Sequence, residues 1–305
     1  MQKQSSEVFS KILLATDGSD GARLASEVAS RIAKAFDSEV TILSAIPSLS
    51  ATAAPLEGEY YSRLVNKADD NADAAAAVFK KAGVSATEKE IPQGSASVVG
   101  RIVETAAEEK AGLIVMGTRG LGGFRRAVLG SVSSAVAAHA GCATLVVRST
   151  KKGAAGGDIK KVLVAIDDSQ NAQRALEAAV ELANRFKAEL RITHVVYVPM
   201  FSWSMGIPGS TSAVDQIEED AENLGKKLLT KAVKFAKSNG AADVKEELVT
   251  DLTAPAQAIV RIAERTGTDV IVMGTRGNGG FKKLLMGSVA NSVLHYAGCS
   301  VLVTR

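Results

Sequence analysis

Residues 117–136 read GTRGLGGFRRAVLGSVSSAV, and residues 274–293 read GTRGNGGFKKLLMGSVANSV. Laid side by side they agree at 11 of 20 positions, where average residue usage gives about one or two by chance. The offset is 274 − 117 = 157, while Ala15-Thr16-Asp17 and Ala165-Ile166-Asp167 stand 167 − 17 = 150 apart, so the second copy carries seven more residues in between. A single period near half of 305 residues means a duplicated domain, not a solenoid of short units. The small, polar, Gly-rich stretch from Ser149 to Gly157 has the composition of a connector. Domains are therefore expected over 1–150 and 151–305.

Each half alternates short apolar runs with long helical patterns. In the first the runs are Ile12–Ala15, Val40–Leu43, Leu113–Met116 and Thr144–Val147, with a weaker one around Val84–Ile91. Leu24, Val28, Ile32 and Phe36 recur at four-residue steps, one apolar stripe of a helix. The second half repeats the order with Val162–Ile166, Leu190–Val198, Val244–Val249, Val270–Met273 and Ser300–Thr304. Alternating β and α with buried strands predicts an α/β fold, a parallel sheet covered by helices on both faces.

Composition narrows the partners. The formal charge of +3 arises from scattered Lys and Arg among nearly as many acids, without interleaved aromatics to stack bases, so no nucleic-acid partner is expected. No apolar stretch approaches the roughly 18–20 residues that span a bilayer, and the polar start Met1–Ser6 lacks the order of a signal peptide. A cytoplasmic protein without a membrane partner is expected. Cys142 and Cys299, each in a Gly-Cys pair before an apolar strand, read as buried small residues, not as a disulfide or metal set.

Ligands in open α/β sheets bind beyond the carboxyl ends of the strands, where strand order reverses. Two segments of each half fall there: Thr16-Asp17-Gly18-Ser19 and Ile166-Asp167-Asp168-Ser169 after the first strand, and the Gly-rich loops after Met116 and Met273. Both loops have the spacing Gly-x2-Gly-x9-Gly-Ser, at Gly117, Gly120, Gly130, Ser131 and at Gly274, Gly277, Gly287, Ser288. Glycines let a backbone approach an anion closely, and a helix beginning at Ser131 or Ser288 offers unpaired N–H groups and a positive dipole end to phosphate. Arg125-Arg126 and Lys282-Lys283, 157 apart inside the spacers, are candidate contacts to terminal phosphates. Asp17 and Asp167 can accept hydrogen bonds from a base or ribose. The loops contain neither a Walker motif nor a Gly-x-Gly-x2-Gly fingerprint.

The doubled Gly-x2-Gly-x9-Gly-Ser loop, with an Asp closing the first strand, resembles the ATP-binding branch of the universal stress protein family in tandem form, over about residues 8–148 and 159–305. The resemblance implies two doubly wound five-stranded parallel sheets of order 3-2-1-4-5, adenine nucleotide alpha-hydrolase-like, and a regulatory role in stress response. It implies that Thr16, Asp17 and Ala45, with Ile166, Asp167 and Val195, lie on the adenosine side. Met116, Gly117, Gly120, Gly130, Ser131, Val132 and Ser133 would contact ribose and phosphates, as would Met273, Gly274, Gly277, Gly287, Ser288 and Val289. Ala290 replaces Ser133 in the second copy, which predicts a weaker second site. ATP, or ADP or AMP, is the expected cofactor, with Asp168 available to help hold Mg²⁺ through the phosphates. The last strands imply an intramolecular pairing of the two domains and allow a homodimer.

His139, His194 and His295 are the only histidines and none recurs in the other copy, so they read as surface or helix-end residues. No recurrent Ser-His-Asp or Cys-His set supports nucleophilic catalysis. A slow ATP hydrolase or nucleotidyl-transfer enzyme and a structural stress protein with vestigial sites are the alternatives to a nucleotide-binding regulator.

Overall fold

The computed structural model describes residues 7–44, 57–89, 97–118, 129–149, 159–197, 210–251, 253–277 and 286–305. The chain divides into two compact units with the boundary between Gly157 and Asp158, the first unit also taking in Ser300–Val303 and Arg305.

In the first unit a short helix α1 (Glu7–Ser10) leads into β1 (Lys11–Thr16), α2 (Asp20–Phe36), β2 (Glu39–Ser44), α3 (Glu57–Ala82) and β3 (Thr87–Glu88), followed by α4 (Val98–Glu108), β4 (Leu113–Gly117), α5 (Ser131–His139) and β5 (Ala143–Val147). The strand order is β3-β2-β1-β4-β5, with every neighbouring pair parallel. Order reverses between β2 and β4 on either side of β1, so the carboxyl ends of β1 and β4 open onto one crevice. Ala15 pairs with Met116 there, which sets Thr16-Asp17 beside Gly117.

The apolar runs are buried for the reason their sequence suggests. Leu13, Leu14, Leu113, Ile114 and Val115 are wholly buried, and a core Ile or Leu truncated to Ala costs about 2–5 kcal/mol. Leu24, Ile32 and Phe36 of the helical stripe are buried, while Val28 is half-buried. Small residues Ala22, Ala25, Ala29 and Ala33 fill the rest of the inner face of α2 and let it lie close on the sheet. Ser19 caps that helix by accepting from the Ala22 amide, and Asp37 ends it in the left-handed conformation.

The expected strand Val84–Ile91 is a correction. Only Thr87 and Glu88 form a ladder, both exposed, because polar side chains alternate with too few apolar ones to bury a face; Ile91 lies outside the described residues. Helix α1 was not anticipated. Its Phe9 stacks on Phe36 with ring centroids 4.4 Å apart.

The second unit contains β6 (Lys161–Ala165), α6 (Gln170–Phe186), β7 (Glu189–Tyr197), α7 (Ser210–Ser238), β8 (Val244–Asp251), α8 (Pro255–Thr266), β9 (Val270–Gly274), α9 (Ser288–Tyr296) and the last strand β10 (Ser300–Thr304). Its strand order is β10-β9-β6-β7-β8, the same winding as the first. The β6 ladder to β9 pairs Ala165 with Met273, and that to β7 pairs Ala165 with Thr193. β7 then continues for four residues past β6, from His194 to Tyr197, alongside β8.

Candidate functional site

The first wall of each site is a tight turn. In the first half Asp17 Oδ1 accepts from the Ser19 amide at 3.0 Å, and Ser19 Oγ accepts from the Ala22 amide at 3.2 Å. In the second half Asp167 Oδ1 accepts from the Ser169 amide at 3.1 Å, and Ser169 Oγ accepts from the Ala172 amide at 3.1 Å. One carboxylate oxygen thus holds the turn and a serine caps the helix that follows. Both aspartates are half-buried, whereas Asp168 is exposed.

The second wall is the loop after the fourth strand, and its base is closed by main-chain bonds. The Thr118 amide donates to Val147 O at 3.1 Å, and the Gly130 amide donates back to Thr118 O at 2.7 Å. The Thr275 amide likewise donates to Thr304 O at 2.8 Å, and the Gly287 amide to Thr275 O at 2.7 Å. Each loop therefore leaves and returns at one threonine, both of them buried. The helices beginning at Ser131 and Ser288 are N-capped by Gly130 and Gly287, so no side-chain oxygen covers their first amides. Ser131 and Ser288 themselves are exposed, and Val132 and Val289 are half-buried. A bare helix N-terminus after one strand and a carboxylate turn after the neighbouring strand suit a ligand with an anionic end and a hydrogen-bonding end.

Not every glycine here serves an open backbone. A Cβ on Gly117 would stand 2.6 Å from Gly21 C, and one on Gly274 would stand 2.7 Å from Asn171 Cβ. These glycines let the fourth strand touch the first turn of α2 or α6, a packing role the spacing alone does not reveal. Gly277 lies so close to Asp167 that a Cβ would overlap Oδ2, which brings the loop onto the first wall in the second half.

Ser133 is placed differently from the expected phosphate contact. Its hydroxyl is 2% exposed and donates to Thr118 O and Gly130 O, each at 3.0 Å, so it ties the base of the loop. Ala290 holds the same position in the second half, equally buried. Thr16 is buried at the strand end, and its Oγ1 lies 3.4 Å from the Gly18 amide. Met116, Met273 and Ile166 are buried beneath the crevice. Val195 stands two residues before the end of β7, half-buried and paired with Val249. Ala45, Gly120, Arg125, Arg126, Lys282 and Lys283 lie outside the described residues.

Two contacts were missed from sequence. His194 is neither at the surface nor at a helix end: it sits half-buried in β7 with Nδ1 2.8 Å from Ile166 O, which means Nδ1 carries the proton and steadies the residue before Asp167. Asn71 of α3 lies over Gly18, whose φ is +74°, so that a Cβ there would overlap its Oδ1. Neither partner has a periodic signal to find it by. Among the described residues no group of three or more His, Cys, Asp or Glu is poised for a metal ion, and no helix is long and apolar enough to cross a membrane.

A doubly wound α/β domain with its crevice at the strand reversal, built twice in one chain, defines the class: a tandem of site-bearing open-sheet domains. The sequence profile of the Universal stress protein family matches residues 9–148 and 158–305, so the chain belongs to that family. Universal stress protein YxiE of Bacillus subtilis is 35% identical over 148 residues, 48% of this chain and 98% of that protein. A universal stress protein of Mycobacterium tuberculosis is 30% identical over 201 residues, covering 64% of this chain and 62% of its own length. The crystal structure of a universal stress protein from Archaeoglobus fulgidus superimposes with a TM-score of 0.69 at 24% identity, over 98% of this chain and 97% of that one, a likeness of fold along both halves.

Proposed function

We propose that each half binds an adenine nucleotide, with ATP the principal ligand and ADP or AMP alternatives, and that the bound state regulates the protein's role in stress response. One observation carries this reading: an uncapped helix N-terminus, pinned by a 2.7 Å Gly-to-Thr main-chain bond, stands beyond the strand next to an aspartate turn in both halves. Phosphates belong on the amides of Ser131-Val132 and Ser288-Val289, beside Gly130 and Gly287, and the adenosine end belongs by Asp17 and Asp167. Asp168, exposed beside Asp167, is the residue proposed to assist Mg²⁺ through the phosphates. Hydrolysis is proposed to run far below the common enzyme median of about 10 per second. Pairing of the two halves through their last strands, with a homodimer as a further step, is carried on the sequence pattern.

Gly130 and Gly287 have φ of −66° and −71°, conformations open to any residue. Valine there thickens the amide face in an allowed backbone conformation, with its Cβ at Gly287 standing 3.3 Å from Thr275 O. Titration calorimetry with ATP should show two sites in the parent chain and one in each of Gly130→Val and Gly287→Val, and mass spectrometry should find adenine nucleotide released from the purified protein. Unchanged stoichiometry in the folded variants rejects the assignment.

A further inference from the structure

The second half has a cavity beside its aspartate turn whose helical walls the nucleotide reading does not use. Between α6 and α7 lies a cavity of about 370 Å³, walled by Leu176, Leu228 and Phe235 and rimmed by Asp167, Asp168 and Lys231. Its volume falls at the lower end of ligand pockets, about 300–1,000 Å³, and its lining divides evenly between apolar residues and polar ones, the latter including Ser169, Gln170 and Gln173.

Comparison with the first half shows how this chemistry arose. The ends of α3 and α7 align at an offset of 157: the Gly83 amide donates to Lys80 O and the Gly240 amide to Lys237 O, while Val84 bonds back to Phe79 O and Ala241 to Ala236 O. At that offset Leu228 stands where Asn71 does, and Lys231 where Ala74 does. Asn71 lies over Gly18. In the second half Gly18 becomes Asp168 and the covering amide becomes the Leu228 wall. Three differences thus supply an anion, a cation and an apolar surface around one cavity.

We propose that this cavity binds an apolar α-amino acid, or a zwitterion of that type, with its side chain against Leu228 and Phe235, its ammonium on Asp168 and its carboxylate on Lys231. Asp168 is the carboxylate for this role. Asp167 already holds the Ser169 amide through Oδ1, and its Oδ2 lies against Gly277. With two carboxylates and one ammonium around it, the cavity disfavours phosphates; it borders the site assigned to nucleotide and shares Ile166, Asp167 and Asp168 with it, so its occupant and a Mg²⁺-nucleotide at the second site would compete for Asp168.

Titration of the full chain with L-phenylalanine, followed by nuclear magnetic resonance, should saturate with a dissociation constant on the order of 1 mM, as befits so small a ligand. The two one-charge analogues, 2-phenylethylamine and 3-phenylpropionate, should each bind about two- to fivefold more weakly, the scale of an exposed ion pair. Asp168→Asn should erase the preference over 3-phenylpropionate, and Lys231→Met the preference over 2-phenylethylamine. Leu228→Asn, which restores the first-half residue, should weaken L-phenylalanine by about fivefold or more through lost apolar contact. Gly287→Val should leave all of this unchanged, which separates this site from the nucleotide reading. No saturation, equal binding of either one-charge analogue in the parent chain, or parental affinity in folded Leu228→Asn would overturn the assignment.

Discussion

The turn that follows the first strand is built alike in the two halves and finished differently. Asp to Ser amide is 3.0 Å in one and 3.1 Å in the other, and Ser to Ala amide is 3.2 Å and 3.1 Å. Between those bonds stands Gly18 at positive φ beneath Asn71 in the first half, and Asp168 by an open cavity in the second. Duplication has kept the capped-turn frame, which needs the Asp carboxylate and the Ser hydroxyl, while the side chains over it have parted. A shared frame speaks for a shared kind of site; the divergent cover speaks for different ligands or affinities.

The frame itself is broken most severely at the glycines that touch a helix. Gly117→Val sets side-chain atoms against the Gly21 main chain, which cannot rotate away, and Gly274→Val does the same against Asn171. Each should cost more than about 3 kcal/mol, read as a lowered urea midpoint of the affected half. Equal loss in both would show the frame to be common, and a tolerated valine in either would refute the close approach.

The cover is sharpened by exchanging turn residues. Among the described residues positive φ outside glycine occurs at Asp37, Lys110 and Lys187, so Asp168 holds an ordinary conformation where Gly18 does not. Gly18→Ala should destabilise by about 1–2 kcal/mol for its left-handed backbone, and adding Asn71→Ala should recover only the overlap. Asp168→Gly should change stability by about 0.5–1 kcal/mol at most, through chain entropy. Denaturation of the three variants tests this, and a cost in Gly18→Ala fully rescued by Asn71→Ala would remove the backbone from the explanation.

Ser133 and Ala290 make a smaller contrast. Since the Ser133 hydroxyl bonds within the loop, Ser133→Ala should lose about 0.5–1.5 kcal/mol of stability while ATP affinity at the first site falls no more than about threefold. A tenfold fall with unchanged stability would restore Ser133 as a direct ligand contact, with the stronger first site the sequence suggests.

The mildest contrast leaves the fold untouched. Burial pushes the Cys142 thiol up to about 11, from an ordinary 9.0. At pH 8 its thiolate is then about a hundredfold scarcer than in an unfolded chain, and iodoacetamide labelling should slow in proportion. Raising the pH towards 11 should restore the rate. Cys299, more deeply buried, should label more slowly still.

Much of this was legible beforehand. The apolar runs Ile12–Ala15, Leu113–Met116 and Thr144–Val147 each fall within the observed strands, because a strand buried on both faces must be apolar throughout. The Gly-x2-Gly-x9-Gly-Ser spacing located both loops, since glycine and helix starts leave marks in sequence. What stayed hidden is what depends on partners remote in the chain. Nothing near Gly117 foretells Gly21, nothing near Gly18 foretells Asn71, and Ser133 reads equally as a ligand contact or a loop tie until its acceptor at Thr118 is seen. His194 was invisible for the same reason, its acceptor Ile166 being 28 residues away.

Thr118 and Thr275 act as collars: the chain departs and re-enters through one residue, so the ends of the segment between are fixed whatever its sequence. Such a collar makes the loop a replaceable cartridge. Doubling the length between Thr118 and Gly130 would add only about 0.6 kcal/mol of closure entropy, and none of the strand or helix geometry on either side would need to move. A lineage can therefore rewrite the length and charge of this segment while the domain beneath it goes on folding as before.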